Sequence, residues 1–527
     1  MSYAYTAAQI RAAEKPLLEA QDFPDQLMQQ AASAVCDVAQ AMVRADDHPL
    51  AAAVQEATGN ARDVVLILAG KGGNGGDGLY AGAQLAMQGL KVEAFLTGGQ
   101  AHEPALTAFR QAGGVVLEQP PTHQECARYR IAIDAITGIG GRGGLDDDTY
   151  DIVTSIRGWY VPVLAVDVPS GVEADTGVAH PQHVTADVTV TFGEFRLAHG
   201  LAPQCGQQLL AEIGNPALSN LLREQGSHYL VWRATQPVHI WPDGTWPEHL
   251  RTMLPPGVSR LEPGADDDKY TGGVVGIRAG SGTYPGAALL TVRGAVNATP
   301  AMVRYAGPQA LEVVRAHPEV VVTKSIDEAT RVQAWVFGPG AGTDNSAAAE
   351  LEQLLNTELP VLVDADGLTL LTEHEELRAL VVKREATTVL TPHDGEFARL
   401  RQACGLDQTH RLAETEALAA HLQATVVRKG RATIIAGGPH THIIDAGHSW
   451  SATPGSGDVL AGIAGAHLAR VAAQSPQLAQ YALDQVVAIH AVAAKLSATT
   501  KFGQGPTSAT KIADAVPAAS AQLAAPS

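Results

Sequence analysis

The stretch DVVLILAGKGGNGGDGLYAGAQLAMQG, Asp63–Gly89, decides the fold. It opens on an unbroken apolar run, Val64–Ala69, of the kind buried on both faces of a parallel sheet, and it ends in Ala and Leu at helical spacing. Six glycines fall among the ten residues from Ala69 to Gly78, interrupted by Lys71, Asn74 and Asp77. Gly70, Gly72 and Gly75 satisfy G-x-G-x-x-G between strand and helix, and Glu93 ends the next strand about twenty residues on. This pattern suits a dinucleotide cradled by the backbone. The bland alternative is a tight βα turn. Asp77 strains the plain dinucleotide reading: a carboxylate near the helix N-terminus repels a pyrophosphate unless a cation or a neutral hydroxyl-bearing group lies between them.

Outward from this unit, β-branched runs alternate with Ala- and Leu-rich stretches of helical period, twice over. The first set is 63–70, 91–99, 130–135, 161–171 and 186–193; the second is 272–280, 334–340, 360–367, 387–396 and 424–430. Alternation of this kind predicts α/β architecture with a parallel sheet covered on both faces. Between the sets lies a Pro- and Trp-rich segment, 232–257, without helical period. A boundary is expected near 215–230, dividing the chain into domains 1–220 and 221–527, with an Ala-rich tail after Val516 expected to fray.

The 527 residues are 46% hydrophobic and 17% charged, enough to bury a large core. A net charge of −19 argues against a chain built to grip nucleic acid or an anionic membrane. Cys36, Cys126, Cys205 and Cys404 form no CxxC, which disfavours a zinc knuckle or a disulfide framework. The N-terminal residues carry Arg11, Glu14 and Lys15 in a helical pattern without an apolar h-region, and no run of eighteen apolar residues follows. A cytoplasmic protein is expected, and a homo-oligomeric one.

Two more strand ends in the first half carry acids. Asp134 precedes TGIGGRGG (137–144), and Asp167 precedes the turn Pro169-Ser170-Gly171. Strand ends of an open parallel sheet converge on one crevice, so Asn74, Asp77, Asp134, Asp167 and Ser170 are expected to share it. Their oxygens are hard ligands, suited to an alkali or alkaline-earth cation. In the second half, ATPGSGDVLAGIAGAHLARV places Asp458 after a Gly-Ser-Gly turn at the start of an amphipathic helix. The N–H groups of residues 455–458 would form an anion hole beside a carboxylate, the pairing that phosphoryl transfer to a hydroxyl requires. FGPGAG (337–342), TPHDGEFARL (391–400) and Lys429-Gly430 also follow strands, and none has P-loop spacing. His393 is a candidate for orienting a substrate or for a turn behind Pro392. Asp364 and Asp366 are candidates for Mg2+ or for helix caps. His440 and His442 sit in an apparent hairpin without a matching ligand cluster.

The strings AGKGGNGGDGLYAGAQL, DAITGIGGRGG and VLAVDVPSGVEADTG resemble the NAD(P)H-hydrate epimerase domain over about residues 3–215. The resemblance implies a Rossmann-like three-layer sandwich that binds hydrated NADH or NADPH and K+. By position, Asn74, Asp134 and Ser170 match the K+ ligands. Gly73, Asn74, Gly75, Gly76, Asp77, the run Gly138, Ile139, Gly140, Gly141, Arg142, Gly143, Gly144, and Asp167 match substrate contacts. Asp167 is the expected proton-moving residue, with Asp77 second. Gly73 stands where the family usually has a first Asn.

KYTGGVVGIRAGSGTYPGAALL, FGPGAG, VLVDADGL, TPHDGEFARL, VRKGRATII and PGSGDVLAGI are similar, in order and spacing, to the ADP-dependent NAD(P)H-hydrate dehydratase domain of the ribokinase-like superfamily, over about residues 230–515. That resemblance implies ADP as co-substrate and Mg2+. Ala287, Gly340, His393 and Asp458 match substrate contacts, with Asp458 the base; Lys429, Gly430, Arg431, Ala432 and Thr433, with Gly455, Ser456 and Gly457, match the ADP site. The segment VNATPAMVR departs from the glycine-rich family form. The function implied is repair of hydrated nicotinamide cofactors, epimerising R and S forms and dehydrating S at the expense of ADP to give AMP and phosphate. The competing expectation is a ribokinase-like small-molecule kinase with a non-catalytic nucleotide-binding N-terminal domain.

Overall fold

The computed structural model describes residues 1–45, 62–214, 217–234, 247, 249–258, 262–474 and 483–524. Most of the Pro- and Trp-rich segment, and residues 215 and 216 at the expected boundary, lie outside them. The chain forms two compact units. One comprises Ser2–Val231 with Thr235–Leu254; the other comprises Met1, Trp232–Ala234 and Pro255–Ser527.

In the first unit the strands are β1 (Ser2–Tyr5), β2 (Val64–Ala69), β3 (Lys91–Leu96), β4 (Val115–Val116), β5 (Tyr129–Ala135), β6 (Val163–Val166), β7 (Val188–Phe192), β8 (Phe195–Arg196), β9 (Gln207–Ala211), β10 (Tyr229–Arg233) and β11 (Leu250–Arg251). The main sheet runs β11-β9-β7-β6-β5-β2-β3-β4 and is parallel except at β11. A small side sheet pairs β1 in parallel with β8 and antiparallel with residues 229–231. Strand β2 shows why a continuous apolar run was required. Val65, Ile67 and Ala69 enter a core under the helices Gln26–Ala45, Gly73–Met87 and Glu103–Gln111, while Val64, Leu66 and Leu68 enter a second core under the helix Asp147–Gly158. With period-two alternation one face would be polar, and this sheet has no wet face. The strand order reverses between β2 and β5, the place where open α/β sheets form a ligand crevice.

In the second unit the strands are β12 (Val275–Arg278), β13 (Val303–Tyr305), β14 (Val321–Val322), β15 (Ala334–Phe337), β16 (Val361–Val363), β17 (Thr388–Leu390), β18 (Thr425–Arg428), β19 (Ala432–Ala436) and β20 (Thr441–Asp445), with a hairpin, β21 (Thr499–Thr500) and β22 (Gly503–Gln504), farther on. They run β14-β13-β12-β15-β16-β17-β18-β19-β20, parallel as far as β18 and antiparallel beyond it. The order reverses between β12 and β15.

The helix Ser456–Gln474 is not amphipathic, as its sequence suggested, but buried almost all round. It lies on β12 and β15 and against the helix Pro285–Ala298, and its glycines permit that. A Cβ at Gly462 would stand 2.0 Å from the Thr291 carbonyl oxygen, and one at Gly294 2.4 Å from that of Val459. The two backbones therefore touch. The tail is also ordered: Ala509–Ala524 is a helix with Pro517 inside it, held by buried Val516 and Ala519. Burying Val516 contributes about 1.5–3 kcal/mol and the Ala519 methyl about 0.8, together comparable to the roughly 3 kcal/mol that a proline inside a helix costs.

Candidate active sites

At the reversal point of the first unit, the glycine loop is shaped first by its own chain. A Cβ at Gly70 would stand 2.0 Å from the Ile136 carbonyl oxygen beyond β5, and one at Gly75 1.8 Å from the Gly70 carbonyl oxygen. A Cβ at Gly76 would stand 2.4 Å from the Met28 sulfur and one at Gly78 2.4 Å from the Ala135 methyl, whereas one at Gly72 would face open space. Gly70, Gly75, Gly76 and Gly78 are thus required by packing of the chain on itself, while Gly72 and Gly73 are left clear. Glu93 also departs from the dinucleotide reading. It sits inside β3, where Arg128 Nη2 and Tyr129 Oη donate to it at 2.6 and 2.9 Å. That carboxylate is committed to the protein.

The acids at the strand ends do converge. Asp134 is 1% exposed. Its Oδ1 accepts from the Ser170 hydroxyl at 2.6 Å and its Oδ2 from the Ser170 N–H at 2.8 Å; the Ser170 hydroxyl oxygen in turn accepts the Thr137 N–H at 3.0 Å. Burial pushes Asp134 up to about 6 against the pull of hydrogen bonds from Ser170 and Ile136. Across the crevice, a Cβ at Gly138 would lie 2.8 Å from Asn74 Oδ1 and 3.0 Å from Asp167 Oδ2, so these groups meet over one bare backbone position. The Asn74 Nδ2 is buried without a hydrogen-bond partner. A buried carboxylate balanced by hydrogen bonds rather than by a cation, a hydroxyl and an amide free to turn its oxygen inward form a donor set of hard oxygens. It fits K+. Arg142, Gly143 and Gly144 lie on the exposed limb of the 137–144 loop, and Arg11 Nη2 donates to the Ile139 carbonyl at 3.0 Å.

Asp167 adopts φ +66, a left-handed conformation rare for a non-glycine residue. Its Oδ1 accepts from Thr191 Oγ1 at 2.9 Å and pairs with Arg196 Nη2 at 3.0 Å, and its Oδ2 accepts the Ile139 N–H at 3.0 Å. Asp77, in the first turns of the helix Gly73–Met87, is pushed well above the ordinary carboxylate range by burial and by the charges of Asp167 and Glu14. Glu14 is itself raised, by burial first. Two aspartates with opposite surroundings face one crevice: Asp167 beside a guanidinium, Asp77 beside other acids. Arg196 and Glu14 escaped the sequence reading because no motif marks either.

In the second unit, the loop after β12, the loop after β15 and the Gly-Ser-Gly turn meet around the first turn of the helix Pro285–Ala298. A Cβ on Gly340 (φ +59) would lie 2.9 Å from that of Ala287 and 2.8 Å from that of Tyr284; one on Gly455 (φ +81) would lie 2.4 Å from Leu290 Cδ1. Lys429 Nζ donates to Asp364 Oδ1 at 2.6 Å and stands 3.9 Å from Glu396 Oε2. A Cβ on Gly457 would be 3.3 Å from the same ammonium. Asp458, next in the chain, is pushed up to about 7 by burial and then by Asp364, with Lys429 pulling the other way. The Ser456 N–H donates to the Thr453 carbonyl at 3.0 Å. The Ser456 N–H is therefore turned away from the ring of donors expected at 455–458, while the first-turn N–H groups of Gly457 and Asp458 are left by helix geometry to point outward.

A cavity of about 330 Å³ is lined by His393, Lys429, Gly430, Arg431, Thr433, Ser456 and Gly457. Ile444, His448 and His490, which the sequence reading missed, also line it. Its size falls at the small end for organic ligands. His490 Nε2 lies 3.1 Å from the Ser456 carbonyl oxygen and 3.0 Å from its hydroxyl. Burial pulls His490 down to about 4, so it is a neutral ring. Arg411 braces the loop 429–432, donating to the Lys429 and Ala432 carbonyls at 3.0 and 2.7 Å. His393 is the N-cap of the helix Asp394–Ala403, its Nδ1 accepting the N–H groups of Gly395 and Glu396 at 3.0 and 3.3 Å. His442 on β20 stands 3.6 Å from Asp484. Among the described residues no group of three or more His, Cys, Asp or Glu side chains is gathered to hold a metal. Asp364 is engaged by Lys429, and Asp366 Oδ2 accepts the Gly342 N–H at 2.9 Å. These acids do not form a resident Mg2+ cage. Among the described residues no helix is long and apolar enough to cross a membrane.

Residues 275–518 match the family described as NAD(P)H-hydrate dehydratase, and residues 24–198 the family described as YjeF-related protein N-terminus. The chain is 43% identical to the bifunctional NAD(P)H-hydrate repair enzyme Nnr of Corynebacterium glutamicum, over 99% of each chain. It is 41% identical to the enzyme of the same name from Mycobacterium tuberculosis, over 89% of each. Among solved structures, an ADP/ATP-dependent NAD(P)H-hydrate dehydratase from Bacillus subtilis aligns with a TM-score of 0.43 and 26% identity, covering 50% of this chain and 95% of its own.

Proposed function

Because the chain belongs to the bifunctional NAD(P)H-hydrate repair enzymes, we propose that residues 1–220 carry the epimerase site and residues 221–527 the dehydratase site. In the epimerase, inversion at the carbon bearing the added hydroxyl proceeds by opening and reclosing of the hydrated ring. Opening breaks the bond between that carbon and the ring nitrogen: the hydroxyl proton leaves as the carbonyl forms, and the enamine released must gain a proton. One group takes and another gives. Asp167, beside Arg196, is suited to take it through Oδ2, and Asp77, held above the ordinary range, is suited to give one. After rotation the ring closes on its other face and the two protons return. Asn74, Asp134 and Ser170 would hold K+, which when bound supplies positive charge to a crevice crowded with carboxylates. Gly73–Asp77, Gly138–Gly144 and Asp167 would line the substrate.

In the dehydratase, the observation that carries the reading is Asp458: a carboxylate at a helix N-terminus, pushed up to about 7, with the Lys429 ammonium beside it. It takes the proton of the ring hydroxyl as the terminal phosphoryl group of ADP reaches that oxygen, forming an O–P bond, breaking the phosphoanhydride and leaving AMP. Elimination then breaks the carbon–oxygen bond to phosphate while the adjacent ring carbon gives up a proton to the departing phosphate or to water, and the double bond so formed restores the dihydronicotinamide. Lys429–Thr433 with Gly455–Gly457 would hold ADP, and Ala287, Gly340, His393 and Asp458 the hydrated ring. Mg2+ would arrive on the nucleotide phosphates, as it commonly does. The four cysteines are free, in keeping with a reducing cytoplasm, and a homo-oligomer completes the reading.

The deciding experiment supplies mixed R and S hydrated NADH with ADP, then ATP, and follows recovery of dihydronicotinamide absorbance. Wild-type protein should consume both epimers, whereas Asp458→Asn should consume neither. A stable phosphoester in place of released phosphate would identify an ordinary kinase.

A further inference from the structure

Resting on the reading that Asp167 moves the proton in the epimerase site, we propose that Arg196 and His199 are positioning residues that aim its carboxylate. The 194–199 segment lies beyond β7, where Gly193 turns the chain at φ +74, and returns Arg196 to the floor of the crevice. The Arg196 side chain is 1% exposed. Its Nη1 donates to the Phe192 and Glu194 carbonyls at 3.2 and 2.5 Å, and Nη2 of the same planar group reaches Asp167 Oδ1 at 3.0 Å. Two carbonyls fix the plane, and a fixed plane fixes the direction of the third contact.

Thr191 donates to the same carboxylate oxygen at 2.9 Å. Oδ1 is therefore occupied from below, and Oδ2, which accepts the Ile139 N–H, is the oxygen turned toward the 137–144 loop and Asn74. His199 works on the other end of the residue. Its Nδ1 accepts the Arg196 N–H at 3.0 Å, which leaves the proton on Nε2, and Nε2 stands 2.8 Å from the Asp167 carbonyl oxygen. The imidazole is thereby a neutral ring in one tautomer. One end of Asp167 is held by the guanidinium and the other by the imidazole, and Arg196 N–H links the two. A left-handed non-glycine backbone persists only where its surroundings over-determine it, and the Asp167 N–H is bound as well, to the Val190 carbonyl at 2.6 Å.

The test uses the full-length protein, with R-to-S exchange followed by proton NMR and dehydration of the S epimer as a control in the same chain. Arg196→Gln should lower kcat for exchange by about 100-fold, the scale of one well-placed proton-transfer group. KM should move by less than about threefold, and Arg196→Lys should recover part of the loss. His199→Gln, whose amide nitrogen falls near the Nε2 position, should keep more activity than His199→Asn, whose amide falls near Nδ1. In an Asp167→Asn background, Arg196→Gln should cost nothing further, because it acts through the missing carboxylate. The proposal is overturned if Arg196→Gln costs the same factor in both backgrounds, or if the two His199 variants are equal. Should Arg196→Gln fail to fold, the His199 pair decides alone. Full exchange by Asp167→Asn would instead overturn the reading of Asp167 itself.

Discussion

The dehydratase rate should fall through an acid limb centred near pH 7, and two substitutions should move that limb in opposite directions. Asp458 must be ionised to take a proton, and it titrates at about 7. The competent fraction is then about one half at pH 7, about one tenth at pH 6 and about one hundredth at pH 5. The leading cause is burial, which neither substitution changes. The next is the charge of Asp364, and the third, of opposite sign, is Lys429. Asp364→Asn removes a repelling charge and also releases Lys429 from its 2.6 Å pairing, so both consequences push the limb to lower pH. A shift of about one unit, typical for a nearby charge, would make this variant about tenfold more active relative to its own plateau at pH 5.5. Lys429→Met should move the limb upward by a similar amount. The assay is absorbance recovery on pure S epimer at saturating ADP from pH 5 to 9, with each profile scaled to its own maximum so that lost affinity does not enter. The reasoning is refuted if the wild-type limb lies near 4, or if both variants shift it the same way.

Gly75→Ala should destabilise the first unit by about 3 kcal/mol or more in urea unfolding, because its Cβ would meet the Gly70 carbonyl at 1.8 Å, whereas Gly72→Ala, with nothing within 4 Å, should be near neutral. Replacing K+ by a bulky organic cation should slow R-to-S exchange and leave dehydration of the S epimer unchanged; equal loss of both would place the ion elsewhere. Arg428 pairs with Glu414 at 2.8 Å and lies 3.8 Å over the Phe397 ring, so Arg428→Met should cost about 3–5 kcal/mol in denaturant unfolding. Burial raises Glu414, but hydrogen bonds from Arg428 and Thr409 outweigh it and hold the carboxyl below its usual value. Its stabilisation is therefore present above the unfolded value, about 4.3, and is lost as pH falls through the lower folded one. Wild-type protein should lose urea resistance below pH 4.5 more steeply than Arg428→Met.

Much of this was legible in the sequence because parallel sheets buried on both faces write themselves as apolar runs. Val64–Ala69 identified a central strand, and the loops at both reversal points were visible as glycine- or acid-bearing strand ends. Asp134 and Ser170 meet as the convergence of strand ends required. What stayed hidden depends on folding across distance. Nothing in LLREQ or EFRLAHG says that Arg196 rather than Arg223 reaches Asp167, since the choice is made by the turn at Gly193 and the β1–β8 pairing. The string GKGGNGGDG does not say which of its glycines face a ligand, because sequence cannot tell a backbone approached by a substrate from one approached by Ile136. The helix after Asp458 was misjudged for a related reason: Ala and Gly register as neutral in an apolar stripe, yet they are the residues that let a neighbouring helix close on a second side.

That closeness makes the helix Ser456–Gln474 an indexing part. Gly462 lies one turn beyond Asp458, about 6 Å along the axis, and there backbone bears on backbone with no rotamer available to absorb a change of volume. A single added methyl group at position 294 or 462 would be taken up as travel of the whole rod. Alignment of the carboxylate proposed to react would accordingly be registered by this seam, and such a substitution would detune chemistry while every group in the pocket kept its identity.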